Sequence, residues 1–373
     1  MEKLSLVDIK KKNFSDVYAF IYGNSHSSKQ SIAQGLHMSL PTVNQHLNAL
    51  LEEGLIQQCG QLKSTIGRKA AAYSVVPDVR VAIGVEVLRH RVTIASVDLY
   101  GKLIHYQRIH TLFENTDDYY KKICDGVLDY IEKSGFTGEQ ILGVSFAMQG
   151  LVSSDNTRMT YAKILPMGDL TVEKFRRYLP YPCSLCHDSE CAAASTLWYQ
   201  PEITDAIYLS LSNHLGGAVI INGEIQHGRA GKSGTIEHMT LHENGIKCYC
   251  GQRGCAECYC SAVSFLQEDE DLDSFFEKKK AGDSGRQERW LEFLDNLSLL
   301  INNIHLVIDS FVILGGHIAP FMEEEDFDYL SRKIRETTAF PEDESFIIPG
   351  SRMPHEIPMG AAIGYIREFL DTI

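Results

Sequence analysis

The sequence lacks the two features that would direct a protein into or across a membrane. No run of about 18 apolar residues occurs in the 373 residues, and the segment MEKLSLVDIKKKNF has no apolar stretch like that of a signal peptide. We therefore expect neither export nor a transmembrane helix, and the predicted location is the cytoplasm. In a reducing compartment the ten cysteines should be thiols or metal ligands rather than disulfides.

Positive charge is also scarce. The chain has 35 Lys and Arg against 49 Asp and Glu, a formal net charge of −14, which by itself argues against a nucleic-acid partner. The charge is unevenly distributed: residues 1–77 hold eight Lys and Arg against five Asp and Glu, so they carry +3 and the rest carries −17. A mildly basic head precedes a strongly acidic body, and the 44% of hydrophobic residues allows two or three domains.

The head shows the pattern of three helices. Apolar residues at helical spacing from Phe14 to Ile21 predict a first helix that ends near Gly23. Ser28 is placed to cap a short second helix and Ser39 a third, in which Pro41 is tolerated in the first turn. The sequence predicts one apolar stripe along the third helix, formed by Val43, Leu47, Leu50 and Leu51.

The other face of the third helix is polar and resembles a DNA-recognition surface. Its side chains can donate to and accept from base edges in a major groove. After it, the strand-like runs LIQQCG and AAAYSVV flank a loop with two cations, which predicts a β-hairpin wing beside the phosphates. The predicted DNA contacts are Ser39, Thr42, Asn44, Gln45, Asn48, Arg68 and Lys69. Residues 1–77 are thus predicted to be a winged helix-turn-helix domain; the alternative is a small domain docked on the body with merely solvated polar residues.

The order of strand-like and helical segments in the body predicts an α/β protein with two lobes. Three β-rich runs from Val81, a helix near residues 116–134 and the strand ILGVSFAMQ are followed by a second, less regular set of strands and helices. We predict a first lobe over residues 78–200 and a second over 201–373, and the option that the C-terminal helix packs back on the first lobe stays open. A ligand is expected between the lobes.

Several motifs then carry a family resemblance. GTIEHMTL followed by CYCGQRGCAE resembles the signature of the family named for repressors, open reading frames and kinases (ROK). SKQSIAQGLHMSLPTV and GRK resemble the DNA-binding part of its repressors, and HDSECAAA, NHLGGAVIING, ILGG and PMGAA occur in the family's order, so the resemblance covers almost the whole chain. It implies an actin-like, hexokinase-like body with a ribonuclease H-like lobe fold.

A cysteine cluster predicts a metal site. Cys248, Cys250 and Cys255 form a C-x-C-x4-C pattern whose glycines allow a tight loop, so three thiolates can reach one zinc ion at about 2.3 Å. The resemblance implies that His238 is the fourth ligand of a structural zinc site. The alternative is a set of buried free thiols.

A second cysteine pair, Cys183 and Cys186, has the C-x-x-C spacing of metal or redox motifs. Because it lies on a predicted strand, we favour a structural role for it.

The resemblance also implies a sugar kinase ancestry, but the phosphate-binding turns differ from those of the kinases. The first turn, Asp-x-Gly-Gly-Thr in the kinases, is residues 86–90, with sequence EVLRH, so bulky side chains occupy the glycine positions. The second, Gly-Thr-Gly in the kinases, is residues 212–214, with sequence SNH, although Gly216 and Gly217 remain. Since phosphoryl transfer depends on positioning and charge stabilisation, we predict no kinase activity.

The sugar-binding positions are altered as well. Asp188 matches the family's catalytic base and is predicted to be a vestigial one, but its usual Asn neighbour is His187. Thr235 replaces a sugar-binding Glu, whereas Glu257 matches the other. The predicted ligand contacts are Asp188, Glu257 and His238, with His187 and Thr235 as additions.

We interpret the sequence as a regulator, most simply a repressor, of carbohydrate metabolism. It is expected to bind operator DNA as a homodimer or homotetramer and to respond to a sugar or sugar derivative in a non-catalytic cleft. One alternative is an active ATP-dependent sugar kinase of the ROK family, supported by Asp188, Glu257 and the Gly315-Gly316 turn. Another is a regulator whose body serves only for dimerisation or binds a partner protein.

Overall fold

A computed structural model describes residues 6–62, 70–342, 345–351 and 353–373. The head contains three helices and a two-stranded antiparallel hairpin. Its elements are α1 (Leu6–Tyr22), α2 (Lys29–Gly35), α3 (Leu40–Glu52), β1 (Ile56–Leu62) and β2 (Ala70–Val75). Ser28 and Ser39 cap α2 and α3 by accepting from the backbone N–H three residues on. Of the predicted DNA contacts, Arg68 and Lys69 lie outside the described residues.

One detail of the predicted α3 stripe is wrong. Val43, Leu47 and Leu50 are fully buried, but Leu51 is 37% exposed and His46 is buried in its place. The imidazole of His46 packs edge-on against Phe14 of α1. With 3.6 residues per turn, position 46 lies about one turn after 43 and one turn before 50, so its side chain shares their inner face. The aromatic ring of Phe14 makes a histidine acceptable there.

The first lobe is built on a five-stranded mixed sheet in the order β5-β4-β3-β6-β9. Its elements are β3 (Val81–Val87), β4 (Arg91–Val97), β5 (Leu103–His110), α4 (Asp117–Lys133), β6 (Ile141–Met148), β7 (Leu151–Val152), β8 (Met159–Tyr161), α5 (Glu173–Arg176), β9 (Cys183–His187) and α6 (Asp188–Tyr199). The central β3 is buried along its whole length, whereas the edge strand β5 is largely solvated. The burial of β3 matches its continuous apolar run VAIGVEV, and the exposure of β5 matches its mixed run LIHYQRIH.

The second lobe repeats this sheet, with the order β12-β11-β10-β13-β14. Its elements are β10 (Ala206–Ser210), β11 (Gly216–Ile221), β12 (Glu224–Ile225), α7 (Glu257–Cys260), α8 (Leu272–Lys280), α9 (Ser284–His305), β13 (Phe311–Gly315), α10 (Glu324–Thr337) and β14 (Ile347–Pro349), and α11 (Glu356–Thr372) follows them in sequence. In both sheets the first three strands in sequence are antiparallel and the next two join in parallel. Among the described helices none is long and apolar enough to cross a bilayer.

The last helix, α11, packs on the first lobe although it follows the second in sequence. It lies against β3, β6 and α6. A side chain at Gly84 or at Gly360 would collide with a backbone carbonyl, of Pro358 or Cys191 respectively, at 1.7 Å, so both glycines permit a close approach.

The head shares an apolar core with α11 and the first lobe. Val17 and Ile21 of α1 are buried in the same cluster as Leu99 and as Ala362 and Ile366 of α11.

Candidate functional site

A cavity of about 370 Å³ lies between the lobes, where the sequence predicts a ligand. Strand ends and loops of both sheets form its wall. Side chains that line it include Glu86, Leu88, Gln149, Tyr161, Lys163, His187 and Asp188 from the first lobe and Asn213, His214, Lys232, Thr235, Glu237, His238 and Tyr249 from the second. Such a concave site with converging polar groups is the usual architecture for a small polar ligand.

Asp188 and His187 stand at the first-lobe wall, where β9 passes into α6. The carboxylate of Asp188 accepts from the backbone N–H of Ser189 at 2.8 Å, and His187 Nε2 lies 3.4 Å from the same oxygen. The Ser189 hydroxyl contacts His187 Nδ1 at 2.9 Å, which fixes the ring. One oxygen of Asp188 is thus engaged locally, and the side chain still faces the cavity.

Thr235 and His238 stand at the opposite wall, on and beside the short 3-10 turn Ile236–His238. The Thr235 hydroxyl donates to the carbonyl of Lys232 at 3.0 Å. His238 has its Nδ1 directed to the cysteine cluster and its Nε2 3.9 Å from a carboxylate oxygen of Glu237. The imidazole therefore faces both the cysteine cluster and the cavity.

Glu237 is a cleft residue that sequence reasoning missed. It is 7% exposed, and its Oε2 has no hydrogen-bond partner among the described residues. Burial raises the pKa of this carboxyl to about 8, and the nearby carboxylates of Glu257 and Asp188 add to the effect. The sequence did contain a signal for it. The family resemblance places a Glu at position 235, where this chain has Thr235, and Glu237, two residues later, supplies a carboxyl to the same cavity.

Glu257, predicted to touch the ligand, is placed behind the wall. It is 3% exposed, one oxygen lies 2.6 Å from His214 Nδ1, and the other accepts from the backbone N–H of Leu215 at 2.8 Å. His214, rather than Glu257, lines the cavity. The carboxylate therefore orients the His214 imidazole and the turn that carries it.

His238, Cys248, Cys250 and Cys255 form a cluster that could bind a metal ion. Their ligand atoms all lie within 4.8 Å of one another, with Cys250 Sγ 3.7 Å from Cys255 Sγ and Cys248 Sγ 3.9 Å from His238 Nδ1. Metal–sulfur bonds of about 2.3 Å in a tetrahedron place neighbouring sulfurs about 3.8 Å apart, so the spacing fits. Burial lowers the pKa of His238, which favours the neutral imidazole that ligation requires.

The loop geometry depends on two glycines. Gly251 and Gly254 have φ of +99° and +77°, in the region that favours glycine, and a side chain at Gly254 would meet the carbonyl of His242 at 1.7 Å. Cys258 lies outside the four-residue cluster, and the Cys260 thiol is fully buried.

A second cavity, of about 530 Å³, adjoins the first at the turns that the resemblance assigns to nucleotide. Leu88 and Gly316 line it, together with two buried carboxyls, Glu86 and Glu356. Burial raises the pKa of each to about 7. Arg91 lies 3.9 Å from Glu86 and offsets part of this effect. Arg108 lines the same cavity, so its wall combines two acids with two arginines.

The predicted DNA contacts on α3 stand on its outer face. Ser39, Gln45 and Asn48 are exposed, and Thr42 and Asn44 are partly so. The Ser39 hydroxyl contacts the Thr42 hydroxyl at 2.8 Å, and Asn44 accepts from Lys29 of α2. Gln45 and Asn48 lie one turn apart. Within the described part of the head their side chains form no hydrogen bond with a neighbouring side chain, so they can reach outward.

Family models match both parts of the chain. The ROK family model matches residues 82–351, and a model described as winged helix-turn-helix DNA-binding matches residues 16–57. The chain belongs to the ROK family.

Curated relatives of this ROK protein include repressors. The xylose repressor of Bacillus spizizenii is 27% identical over 263 residues, covering 69% of this chain and 68% of the relative. The N-acetylglucosamine repressor of Escherichia coli is 28% identical over 270 residues, covering 69% of this chain and 64% of the relative, slightly less than two thirds of its length.

Solved structures show the same fold. A ROK family transcriptional regulator, described as a homologue of the E. coli MLC protein, superimposes with a TM-score of 0.77 at 16% identity, covering 98% of this chain and 97% of that one. A ROK family glucokinase from Streptomyces griseus, in complex with glucose and AMPPNP, gives a TM-score of 0.66 at 19% identity, covering 76% of this chain and 98% of that one. The predicted winged helix-turn-helix head and actin-like body are confirmed.

Proposed function

We propose that this ROK protein is a sequence-specific DNA-binding regulator of carbohydrate metabolism, most simply a repressor, with a sugar or sugar derivative as its effector. The observation that carries the proposal is the path of α11. The helix begins at the cleft, where Ile357 lines the ligand cavity, and ends on the head, where the Ser15 hydroxyl donates to the carbonyl of Ile373. One rigid element therefore touches both the predicted effector site and the DNA-binding head.

The coupling follows from differential affinity. A ligand that binds one lobe arrangement more tightly shifts the population toward it, and α11 is packed so closely on β3 and α6 that it must move with the first lobe. The head shares its core with α11 and would change its orientation in the same transition. The names of two curated relatives, a xylose repressor and an N-acetylglucosamine repressor, agree with a sugar effector.

The cleft chemistry supports a sugar. Asp188, Glu237, His238, His187 and Thr235 bring acceptors and donors to one cavity of sugar size, as neighbouring hydroxyls on a ring require. Glu257 contributes through His214, which it orients.

We propose that the cluster of one histidine and three cysteines holds a structural zinc ion. Zinc suits three thiolates and one imidazole at tetrahedral spacing, and a closed site of four protein ligands leaves no open position for catalysis. Its role would be to fix the turn that presents Glu237 and His238 to the cavity.

Two-fold assembly fits operator recognition. A homodimer, alone or paired into a homotetramer, would place two copies of α3 on half-sites about one helical turn apart. Gene regulation takes place where the DNA is, so we propose a cytoplasmic location.

An active ATP-dependent sugar kinase is the second candidate, because Asp188 is retained and Gly315-Gly316 forms a glycine turn. Against it stand the side chains of Leu88 and Arg89, which occupy the glycine positions of the first phosphate turn, and of His90 beside them. We therefore propose that the protein is not an enzyme.

The function is tested by selecting random duplexes with the zinc-loaded full chain, at about 0.15 M salt where non-specific attraction is screened. We expect a two-fold-symmetric motif, bound at least a thousandfold more tightly than scrambled DNA. A parallel assay for ADP release with a panel of sugars should stay at background. Enrichment of no motif together with sugar-dependent ADP release would establish the kinase instead.

A further inference from the structure

The C-x-x-C motif of the first lobe does not pair within itself. Cys183 and Cys186 both lie on β9, and residues three apart on a strand point to opposite faces. The Cys183 thiol donates to the carbonyl of Tyr181 at 3.3 Å. The two cysteines of this motif therefore cannot form the bridge that their spacing suggests.

Cys186 instead faces Cys191, in the first turns of α6. The Cys191 thiol donates to Cys186 Sγ, with 2.8 Å between the two sulfur atoms. A disulfide bond is about 2.05 Å long, so an approach of about 0.8 Å would bring the sulfurs to bonding distance. Both thiols are free.

The surroundings give the two thiols different roles. Cys186 is partly exposed, and both residues line a surface cavity of about 500 Å³ that a small oxidant can enter. The Ser145 hydroxyl lies 3.3 Å from Cys186 Sγ, and because Ser184 donates to the Ser145 oxygen, the hydrogen of Ser145 is available to the sulfur. Cys191 is 3% exposed. Cys186 is thus the accessible nucleophile, supported by a donor, and Cys191 is the buried partner.

We propose that Cys186 and Cys191 form an oxidisable pair, which hydrogen peroxide converts to a disulfide. The Cys186 sulfur attacks one peroxide oxygen, the O–O bond breaks, and the departing oxygen takes the thiol proton and leaves as water. Cys186 becomes a sulfenic acid. The Cys191 sulfur then attacks Cys186, the S–S bond forms, and the hydroxyl leaves with the Cys191 proton as a second water. Two thiols lose two electrons and one peroxide molecule is reduced to two waters.

The bridge would close a six-residue loop around the cleft residues His187 and Asp188. It would link the end of β9 to the start of α6 and contract the segment that presents both side chains to the cavity. Oxidation should therefore change effector affinity; this consequence rests on the proposed function, whereas the thiol chemistry does not.

The test uses the full zinc-loaded chain, titrated with hydrogen peroxide, then blocked with N-ethylmaleimide and mapped by mass spectrometry. We expect a Cys186–Cys191 bridge, reversed by dithiothreitol, before a chromogenic chelator detects released zinc. Cys191→Ser should stop at a sulfenic acid on Cys186 that dimedone traps. The matched control Cys183→Ser should keep the bridge, and circular dichroism confirms that each variant is folded.

A bridge between Cys183 and Cys186, or zinc release that precedes any oxidation of Cys186, would overturn the proposal. So would a Cys186 that dimedone fails to label in folded, peroxide-treated Cys191→Ser. The cleft is assayed separately, by titrating the bridged and reduced proteins with a sugar that raises the melting temperature of the reduced form. We expect an affinity change of about fivefold or more. Equal affinities would overturn the link to the cleft, without affecting the DNA-binding proposal, which is assayed on reduced protein.

Discussion

The two lobes of the body share one sheet topology but differ in the residues that they present to the cleft. Both sheets follow one strand order, with three antiparallel strands joined by two parallel ones. At the cleft, the first lobe presents Glu86, Leu88 and Asp188 on strand ends and tight turns, whereas the second presents Glu237 and His238 on a loop tied to the cysteine cluster. The repeated scaffold fixes where a ligand can bind, and the edge residues decide which chemistry is available there.

The comparison also shows how the two lobes hold their cleft residues in place. In the first lobe, the packed sheet and α6, the helix that follows β9, hold the cleft residues in place. The second lobe uses a segment of irregular backbone between β12 and α7 that contains only one short 3-10 turn. Such a segment buries little apolar surface of its own, so a metal ion is the expected source of order. The lobes should therefore respond very differently to changes in their cysteines.

The largest effect is expected from Cys250→Ser in the second lobe. The variant should lose bound zinc and several kcal/mol of stability, because removing one ligand opens a four-coordinate site. The measurements are metal content by atomic spectroscopy and urea unfolding. Cys258→Ser, just outside the cluster, is the matched control and should keep its metal. Full zinc content and unchanged unfolding in Cys250→Ser would disprove the site.

Next in size are the two cleft carboxyls, one from each lobe. Asp188→Asn and Glu237→Gln should each weaken binding of the effector about tenfold or more, because each replaces a carboxyl oxygen that faces the cavity with an amide NH2 group that cannot accept from a sugar hydroxyl. Isothermal titration measures this directly. Glu190→Gln is the matched control, since Glu190 lies on α6 but faces His227 at 3.0 Å. If only one of the two cleft variants changes affinity, the ligand contacts one lobe and cannot sense closure.

The head should respond independently of both lobes. Gln45→Ala and Asn48→Ala should each weaken binding to the selected operator about 5-fold to 100-fold, because a lost base contact costs about 1–3 kcal/mol. Fluorescence anisotropy on operator and scrambled duplexes separates this loss from non-specific attraction. Asn24→Ala, at the end of α1, is the control and should bind normally. An equal loss on both duplexes would assign these side chains to the phosphates rather than the bases.

The last prediction concerns how pH changes the stability of the fold through two buried carboxyls at the border between the lobes. Burial raises the pKa of Glu86 and Glu356 from 4.5 to about 7, so between these values the folded state binds more protons than the unfolded state. Stability must then fall as pH rises through this window. Glu356→Gln should reduce that decline by roughly 1–3 kcal/mol, because Gln can still accept from Tyr208 and Gly316. Urea unfolding at several pH values checks it, with exposed Glu132→Gln as control; an unchanged slope would contradict a buried, protonated Glu356.

Sequence patterns predicted the scaffold well and the cleft only in part. Caps such as Ser28 and Ser39, the buried run of β3 and the cysteine spacing are local signals, and the helices, the strands and the three cysteines of the cluster follow from them. The fourth member, His238, was implied by the family resemblance. Glu237 and the Glu257–His214 contact depend on how a 3-10 turn and a helix start are oriented in three dimensions. The pairing of Cys186 with Cys191 depends likewise on which face of a strand meets the next helix, which spacing alone does not determine.

Regulation by a sugar requires that the cleft and the head are coupled. The most direct test measures operator affinity of the full chain by anisotropy across a sugar panel, for the wild type and for Asp188→Asn. We expect that a sugar which binds the wild type changes its operator affinity at least about fivefold, and that Asp188→Asn binds the operator normally but loses this response. A sugar that binds in the cleft and leaves operator affinity unchanged would contradict the coupling.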